Sequence, residues 1–230
     1  GHSLWPSFTN VPNEFLESYF PLRIDVYETI PDSGGPGFHR GGNALRVGYR
    51  FLEDGEISIH DDRWLTYPWG VNGGLPGQRS QKILVRTDGS EELLQSKCDR
   101  IEVGEGDLLY FDTWGGGGWG DPLQRPPEQV AADVDAGLVT VDGAKRYGVV
   151  LNPDLSVDEK KTKSLRARMA KKRGATQLFD KGGTIEELKK RCKRETGLNP
   201  PRQPEFKTWV KADNRVRVKK KKARRKSKAA

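Results

Sequence analysis

The sequence predicts an α+β protein. An antiparallel β-rich sandwich or barrel-like body precedes short C-terminal helices and a disordered basic tail. Three observations predict it. Apolar and polar residues alternate in short runs between residues 22 and 113. Turn signals separate these runs at the ~8–12-residue spacing of sandwiches and barrels. Two helix N-cap signatures follow only after residue 150.

The elements follow in order. Trp5, Pro6, Phe8, Pro12 and Pro21 make residues 1–21 an irregular, partly buried lead-in, with a helical turn at Glu14 to Tyr19. Leu22, Ile24 and Val26 alternate with Arg23, Asp25 and Tyr27, which predicts a strand from Leu22 to Thr29. After a glycine-rich break at 31–42, the Ala44 to Leu52 run sets Leu45, Val47, Tyr49 and Phe51 against Arg46, Gly48 and Arg50. Glu53-Asp54-Gly55 is a tight-turn signal, and Ile57 and Ile59 begin the next strand. Residues 61–81 hold Trp64, Tyr67 and Trp69 among glycines and prolines and read as a long ordered loop. Strands at Lys82 to Thr87, Glu92 to Gln95, Arg100 to Val103 and Leu108 to Thr113 complete the β stretch. Periodicity alone leaves sandwich and barrel equally open.

Helical signals come next. Val130 and Val134 share a face of a short helix from Glu128 to Ala136, stopped by Gly137. A second short helix lies around Val141 to Tyr147. Ser156 and Glu159 form a capping box for a helix from Val157 to Arg173, whose apolar stripe of Val157, Leu165 and Met169 is thin. Thr184 and Glu187 form another for Ile185 to Thr196, closed by Gly197. Residues 1–151 are thus a β-rich body, 152–205 a helical extension and 206–230 a basic tail.

Charge follows the same division. The overall +8 combines a net −10 over residues 1–150 with a net +18 over residues 151–230. Such asymmetry marks an appendage or an interaction surface, not a fold. Residues 215–230 hold ten Lys/Arg and no acid, a composition that predicts disorder. The 27 glycines are clustered, not spaced every third residue, which excludes collagen. No apolar run approaches the ~20 residues of a membrane span. Cys98 and Cys192 are far apart with no Cys-x-x-Cys, so a reducing, cytoplasmic setting is expected.

Familiar catalytic sets are missing. His2, His39 and His60 are scattered and suggest no zinc site. Neither glycine cluster precedes the Lys-Ser/Thr of a Walker loop. Two glycine loops are the candidate site. The first is Asp32-Ser33-Gly34-Gly35-Pro36-Gly37-Phe38-His39-Arg40-Gly41-Gly42. Its N–H groups can converge on an anion with Arg40 as a fork, or its glycines can supply positive φ for a crossover between strands. The second is Thr113-Trp114-Gly115-Gly116-Gly117-Gly118-Trp119-Gly120-Asp121-Pro122. Its glycines permit close approach of a ligand or another backbone, and its tryptophans are expected to anchor it by burying their rings. Asp121 alternatively caps the following segment. The cluster His60-Asp61-Asp62-Arg63 reads as a surface ion-pair cluster, with a site-lining role as the alternative.

Together these strings resemble the hydantoinase B/oxoprolinase family, which includes related subunits of acetone and acetophenone carboxylases. The resemblance also rests on Gly1-His2-Ser3-Leu4 through Phe8-Thr9-Asn10, Phe20-Pro21-Leu22-Arg23, Pro68-Trp69-Gly70 with Gly73-Gly74, Gly106-Asp107, Tyr147 to Leu151 and Leu178-Phe179-Asp180. It covers roughly residues 1–205; the basic tail has no counterpart. It implies ATP-dependent opening of a small cyclic amide such as 5-oxoproline or a hydantoin, or alternatively ketone carboxylation. It implies ATP and Mg on a hydantoinase A-type partner subunit or domain. The family's metal ion is expected in an N-terminal portion of the B-type polypeptide that this sequence does not include, with no cofactor bound by this chain alone. The glycine loops would shape the substrate site or the subunit contacts, and the catalytic residues remain unassigned. A nucleic-acid role for the tail is disfavoured, because aromatics are not interleaved with its charges and the acidic body repels phosphate. A purely structural role in a complex is the remaining reading.

Overall fold

Nine strands and four α-helices occupy the described residues, 11–201, of the computed structural model. The strands are β1 (Leu22–Thr29), β2 (Leu45–Phe51), β3 (Gly55–His60), β4 (Gly70–Val71), β5 (Gln81–Val85), β6 (Glu91–Leu93), β7 (Lys97–Val103), β8 (Leu108–Asp112) and β9 (Phe179–Asp180). The helices are α1 (Asn13–Tyr19), α2 (Pro127–Asp135), α3 (Glu159–Arg173) and α4 (Ile185–Thr196). The expected lead-in contacts of Trp5, Pro6 and Phe8, His2, and the basic tail at 206–230 lie outside the described residues.

Alternation becomes antiparallel pairing. Five strands form one sheet in the order β1-β2-β8-β5-β6, and β3 pairs with β7 as a separate ribbon. Phe51, Leu84 and Leu109 from the sheet meet Ile59 and Val103 from the ribbon in one core, which Leu94 completes. Each fully buried aliphatic side chain there is worth roughly 1.5–3 kcal/mol. The two layers make an open sandwich, and no barrel closes among the described residues. β7 begins at Lys97, ahead of the expected Arg100. A bulge explains this: Ile57 faces Ile101 and Ile59 faces Cys98, so an extra residue is accommodated where Arg100 takes φ 56°. The bulge broke the alternation that sequence periodicity relies on.

The helical part corrects one boundary. α3 starts at Glu159, capped by Asp158, whose carboxylate accepts from Lys161 N–H at 2.9 Å. Ser156 is not the cap, because its hydroxyl is bonded to Asp154 at 2.6 Å within a turn where Leu155 has φ 63°. Val157 bridges Leu151 and packs on a second core of Val130, Val139, Ala144, Tyr147 and Val149. Around α4 the expected reciprocal capping box of Thr184 and Glu187 is present, and Gly197 ends the helix at φ 71°.

The long loop at 61–81 carries a strand that its composition hides. β4 pairs with β9, so the segment after α3 returns to the body. Arg173 at the end of α3 forks onto Asp121, and Glu195 of α4 meets Arg79 at 3.3 Å. The described chain up to Pro200 lies in one compact unit.

Candidate functional site

The two predicted glycine loops come together, and a third segment joins them. Gly35 N–H donates to the Gly116 carbonyl at 2.8 Å, and Gly116 N–H donates to Gly42 at 2.8 Å. Gly118 N–H donates to Leu75 at 2.9 Å and Leu75 N–H to Pro36 at 2.7 Å. Gly115 N–H donates to Gln78 at 3.0 Å and Gln78 N–H to Ser33 at 2.7 Å. Segments 33–42, 74–78 and 115–120 therefore form a closed triangle in which each bonds to both others. The glycine spacing at 70, 73, 74 and 77 was the available signal for the third segment.

Close approach, not positive φ, demands most of these glycines. None of Gly34, Gly35, Gly37, Gly41, Gly42 or Gly115 to Gly118 has positive φ; in the first loop that conformation falls on Asp32, at 62°. A Cβ on Gly35 would strike the Leu75 carbonyl, on Gly41 the Gly116 carbonyl, on Gly117 the Trp69 carbonyl and on Gly118 the Pro36 carbonyl. Only glycine fits where three backbones converge, as at a collagen axis. Much of the donor set an anion cradle would need is already used. N–H groups of Gly35, Gly41, Gly115, Gly116 and Gly118 already donate to carbonyls.

The other predicted residues mostly hold this assembly in place. Arg40 is spent on Asp133, at 3.1 Å, and on the Gly41 carbonyl at 3.0 Å. The Asp32 carboxylate accepts from Thr140 N–H at 3.0 Å and Oγ1 at 2.6 Å. Buried Ser33 accepts from Ala44 N–H at 2.7 Å, and Thr113 Oγ1 from Leu45 N–H at 2.8 Å. Asp121 caps the turn at Pro122–Gln124 by accepting from Leu123 N–H at 2.8 Å. The Arg173 guanidinium, opposed by burial, holds its carboxyl below the ordinary value.

The tryptophans do not anchor the loop by burial. Trp114 and Trp119 are 43% and 49% exposed, and Trp69 is 45% exposed. With the space between segments filled by backbone, bulky rings have nowhere to go but outward. His39 packs edge to face on Phe38 at 4.9 Å and tilted against Trp119 at 5.5 Å between ring centres. His60 is exposed, 3.6 Å from Asp99. Among the described residues no group of three His, Cys, Asp or Glu is disposed to hold a metal ion.

Two features escaped the sequence reading. Asp61, expected at the surface, is buried and paired with Lys82, which is fully buried over the Phe111 ring at 4.1 Å. Burial pushes the Lys82 ammonium below its usual value and Asp61 opposes that. The one signal was a lysine heading the apolar run Ile83-Leu84-Val85. The second feature is a cleft of about 580 Å³ beside the glycine assembly, whose lining includes Gln78, Arg79, Gln81, Arg146, Arg191 and Glu195. These residues are scattered along the chain, so spacing carried no hint of it.

Known proteins fit this picture. The family model described as Hydantoinase B/oxoprolinase matches residues 1–122. The putative B-type component of a D-/L-hydantoinase from Pseudomonas sp. (strain NS671) is 34% identical over 167 residues, covering 71% of this chain and 28% of the relative. The crystal structure of ATP-dependent caprolactamase from Pseudomonas jessenii aligns at TM-score 0.57 and 32% identity, covering 68% of this chain and 28% of that one. A nucleotide-free acetone carboxylase structure aligns at TM-score 0.61 over 83% of this chain and 29% of that one; at 23% identity the likeness is one of fold. The chain spans 27–28% of the length of the first curated relatives it matches. A family match over more than half the chain, which includes the glycine assembly, places this protein in the hydantoinase B/oxoprolinase family.

Proposed function

We propose that this chain forms part of the B-type component of an ATP-dependent cyclic-amide hydrolase of the hydantoinase and 5-oxoprolinase kind. Its partners are an A-type subunit or domain, which holds ATP and Mg, and the remaining B-type sequence, which holds the family's metal ion. ATP supplies a phosphoryl group that turns the poor amide oxygen into a leaving group. The glycine loops and their surroundings act as a frame. The glycine triangle is stiff because its backbone groups are mutually bonded, and it turns Trp69, Trp114 and Trp119 outward. Aromatic side chains displayed on a rigid backbone suit contact with a neighbouring domain or subunit.

One observation carries the reading: the backbone triangle lies within the segment that the family model matches. Similarity to a hydantoinase component and to an ATP-dependent caprolactamase supports a cyclic-amide substrate. The test combines the chain with an A-type partner and a polypeptide supplying the remaining B-type sequence. ATP hydrolysis is measured with 5-oxoproline, hydantoin and caprolactam. Stimulation by a cyclic amide, with formation of the ring-opened acid, is expected. Stimulation only by a ketone with bicarbonate would assign the carboxylase branch instead. No stimulation by either class would contradict the proposal.

A further inference from the structure

Helix α3 is fastened by one side and charged on the other. Buried Thr162 accepts from Val150 N–H at 3.0 Å, Arg166 donates to the Arg125 carbonyl at 2.6 Å, and Arg173 donates to Asp121 at 2.8 Å. At about 100° per residue these three share one narrow arc, beside half-buried Leu165 and Met169. The opposite side carries Lys160, Lys161, Lys163, Arg168, Lys171 and Lys172, all exposed. Eight of the 15 residues of α3 are Lys or Arg, against the single acid Glu159. Among the described residues its ion pairs are Lys161 with Asp158, at 2.8 Å, and Arg173 with Asp121. Lys160, Lys163, Arg168, Lys171 and Lys172 are left without a counter-charge there. Lys160 with Lys163, and Arg168 with Lys171 and Lys172, are like charges one helical turn apart, which disfavours the helix unless an anion lies against it.

The composition of this face says what kind of anion. Protein interfaces place apolar and aromatic residues at their centre and deplete it of charge. The outer side of α3 has no apolar residue larger than Ala167 and Ala170, and small Ser164 lies between its cations. A phosphate backbone needs only cations, and a duplex offers one negative charge per ~1.7 Å of axis along the roughly 18 Å from Lys160 to Lys172. The lack of aromatics counts against base stacking, not against backbone contact. The acidic excess belongs to residues 1–150, whereas α3 lies in the basic part of the chain. Cations on a fastened helix are already ordered, so contact costs them little further entropy. We infer that the outer face of α3 binds the phosphate backbone of double-stranded nucleic acid without regard to base sequence. This interaction is independent of the cyclic-amide reading.

The test measures fluorescence anisotropy of the full chain with two labelled duplexes of about 20 base pairs and unrelated sequence, between about 50 and 200 mM salt. Equal binding of both duplexes is expected, weakening at least tenfold across that range. Lys160→Gln, Arg168→Gln and Lys171→Gln together should weaken binding at least tenfold and flatten the salt dependence. Glutamine has nearly the helix propensity of lysine, so circular dichroism should be unchanged. Should the triple variant lose helix, the pair Lys160→Gln and Lys171→Gln provides the same comparison. Lys219→Gln, Lys220→Gln and Lys221→Gln remove as much charge from the tail and should weaken binding less. An equal or larger loss in the tail variant would assign the binding to the tail and overturn the inference. Tighter binding of polyglutamate than of either duplex would point to an acidic protein surface, and low-salt self-association abolished by the α3 changes would point to a second copy. Either result would overturn it, as would discrimination between the two sequences, unchanged binding in the α3 variants, or no binding.

Discussion

The open sandwich and the glycine triangle exclude water in opposite ways. In the sandwich, side chains fill the gap: Phe51, Ile59, Leu84 and Leu109 interdigitate between two layers. In the triangle, the gap is closed by removing side chains, so that backbone meets backbone. The consequence for substitution is inverted. The sandwich is damaged by making residues smaller, the triangle by making them larger. The same contrast decides where aromatic rings go. Phe51 of the sandwich turns inward, whereas Trp69, Trp114 and Trp119 around the triangle remain about half exposed.

The largest expected effect lies in the sandwich, at its fully buried lysine. Lys82→Met leaves the Asp61 carboxylate buried without its counter-charge, at a cost of about 3–5 kcal/mol. Adding Asp61→Leu should recover most of that loss in urea denaturation. No recovery would mean that packing around Phe111, not charge, makes Lys82 necessary. Next comes Leu84→Ala, which empties a completely buried position and should cost about 3 kcal/mol by the same measurement. A loss under about 1 kcal/mol would show a core loose enough to collapse onto the void.

Smaller effects are expected where the triangle is tied to the helices. Asp121 and Glu195 both have carboxyls held below the ordinary value. For Asp121 the Arg173 hydrogen bond dominates; for Glu195 burial is the largest influence and works the other way, but Arg191, Arg79 and Tyr67 together prevail. A lowered folded-state value means stability that is present above the unfolded carboxyl value, about 4, and is lost as pH falls below it. Amide exchange should therefore accelerate in β9 and α4 as pH is lowered from 5 towards 3, after correction for intrinsic rates. Asp121→Asn should cost about 1 kcal/mol at neutral pH and flatten that dependence. An unchanged acid profile in this variant would remove Asp121 from the tie. Trp119→Ala should cost about 1–2 kcal/mol, because the ring is half exposed and its buried part packs on His39. On the proposed function it should also weaken assembly with the partner polypeptides, measured by sedimentation. Unaltered assembly would take Trp119 out of the interface.

Period-two alternation made β1 legible, since Leu22, Ile24 and Val26 are half-buried between exposed Arg23, Asp25 and Tyr27. The two-residue pairing of β4 with β9 was not legible, because its partners are distant in sequence and too short to show a period. The burial of Asp61 was hidden for a related reason: only the fold brings Lys82 to it. Ser156 looked like a cap because Ser-x-x-Glu fits the pattern, and a local turn competed successfully for its hydroxyl. The glycine strings were visible as clusters. Their cause was not, because a close approach depends on the third segment around Leu75 and Gln78 that meets them.

Adjacent glycines provide the most direct test. A Cβ at Gly41 would collide with the Gly116 carbonyl, whereas at Gly42 it would meet nothing within 4 Å. Equilibrium urea unfolding of Gly41→Ala and Gly42→Ala compares them in one loop. If backbone packing is what the glycines serve, Gly41→Ala loses about 3 kcal/mol or fails to fold. Gly42→Ala should stay within about 0.5 kcal/mol of the parent or be slightly more stable. Equal losses at the two positions, or a larger loss at Gly42, would contradict the account.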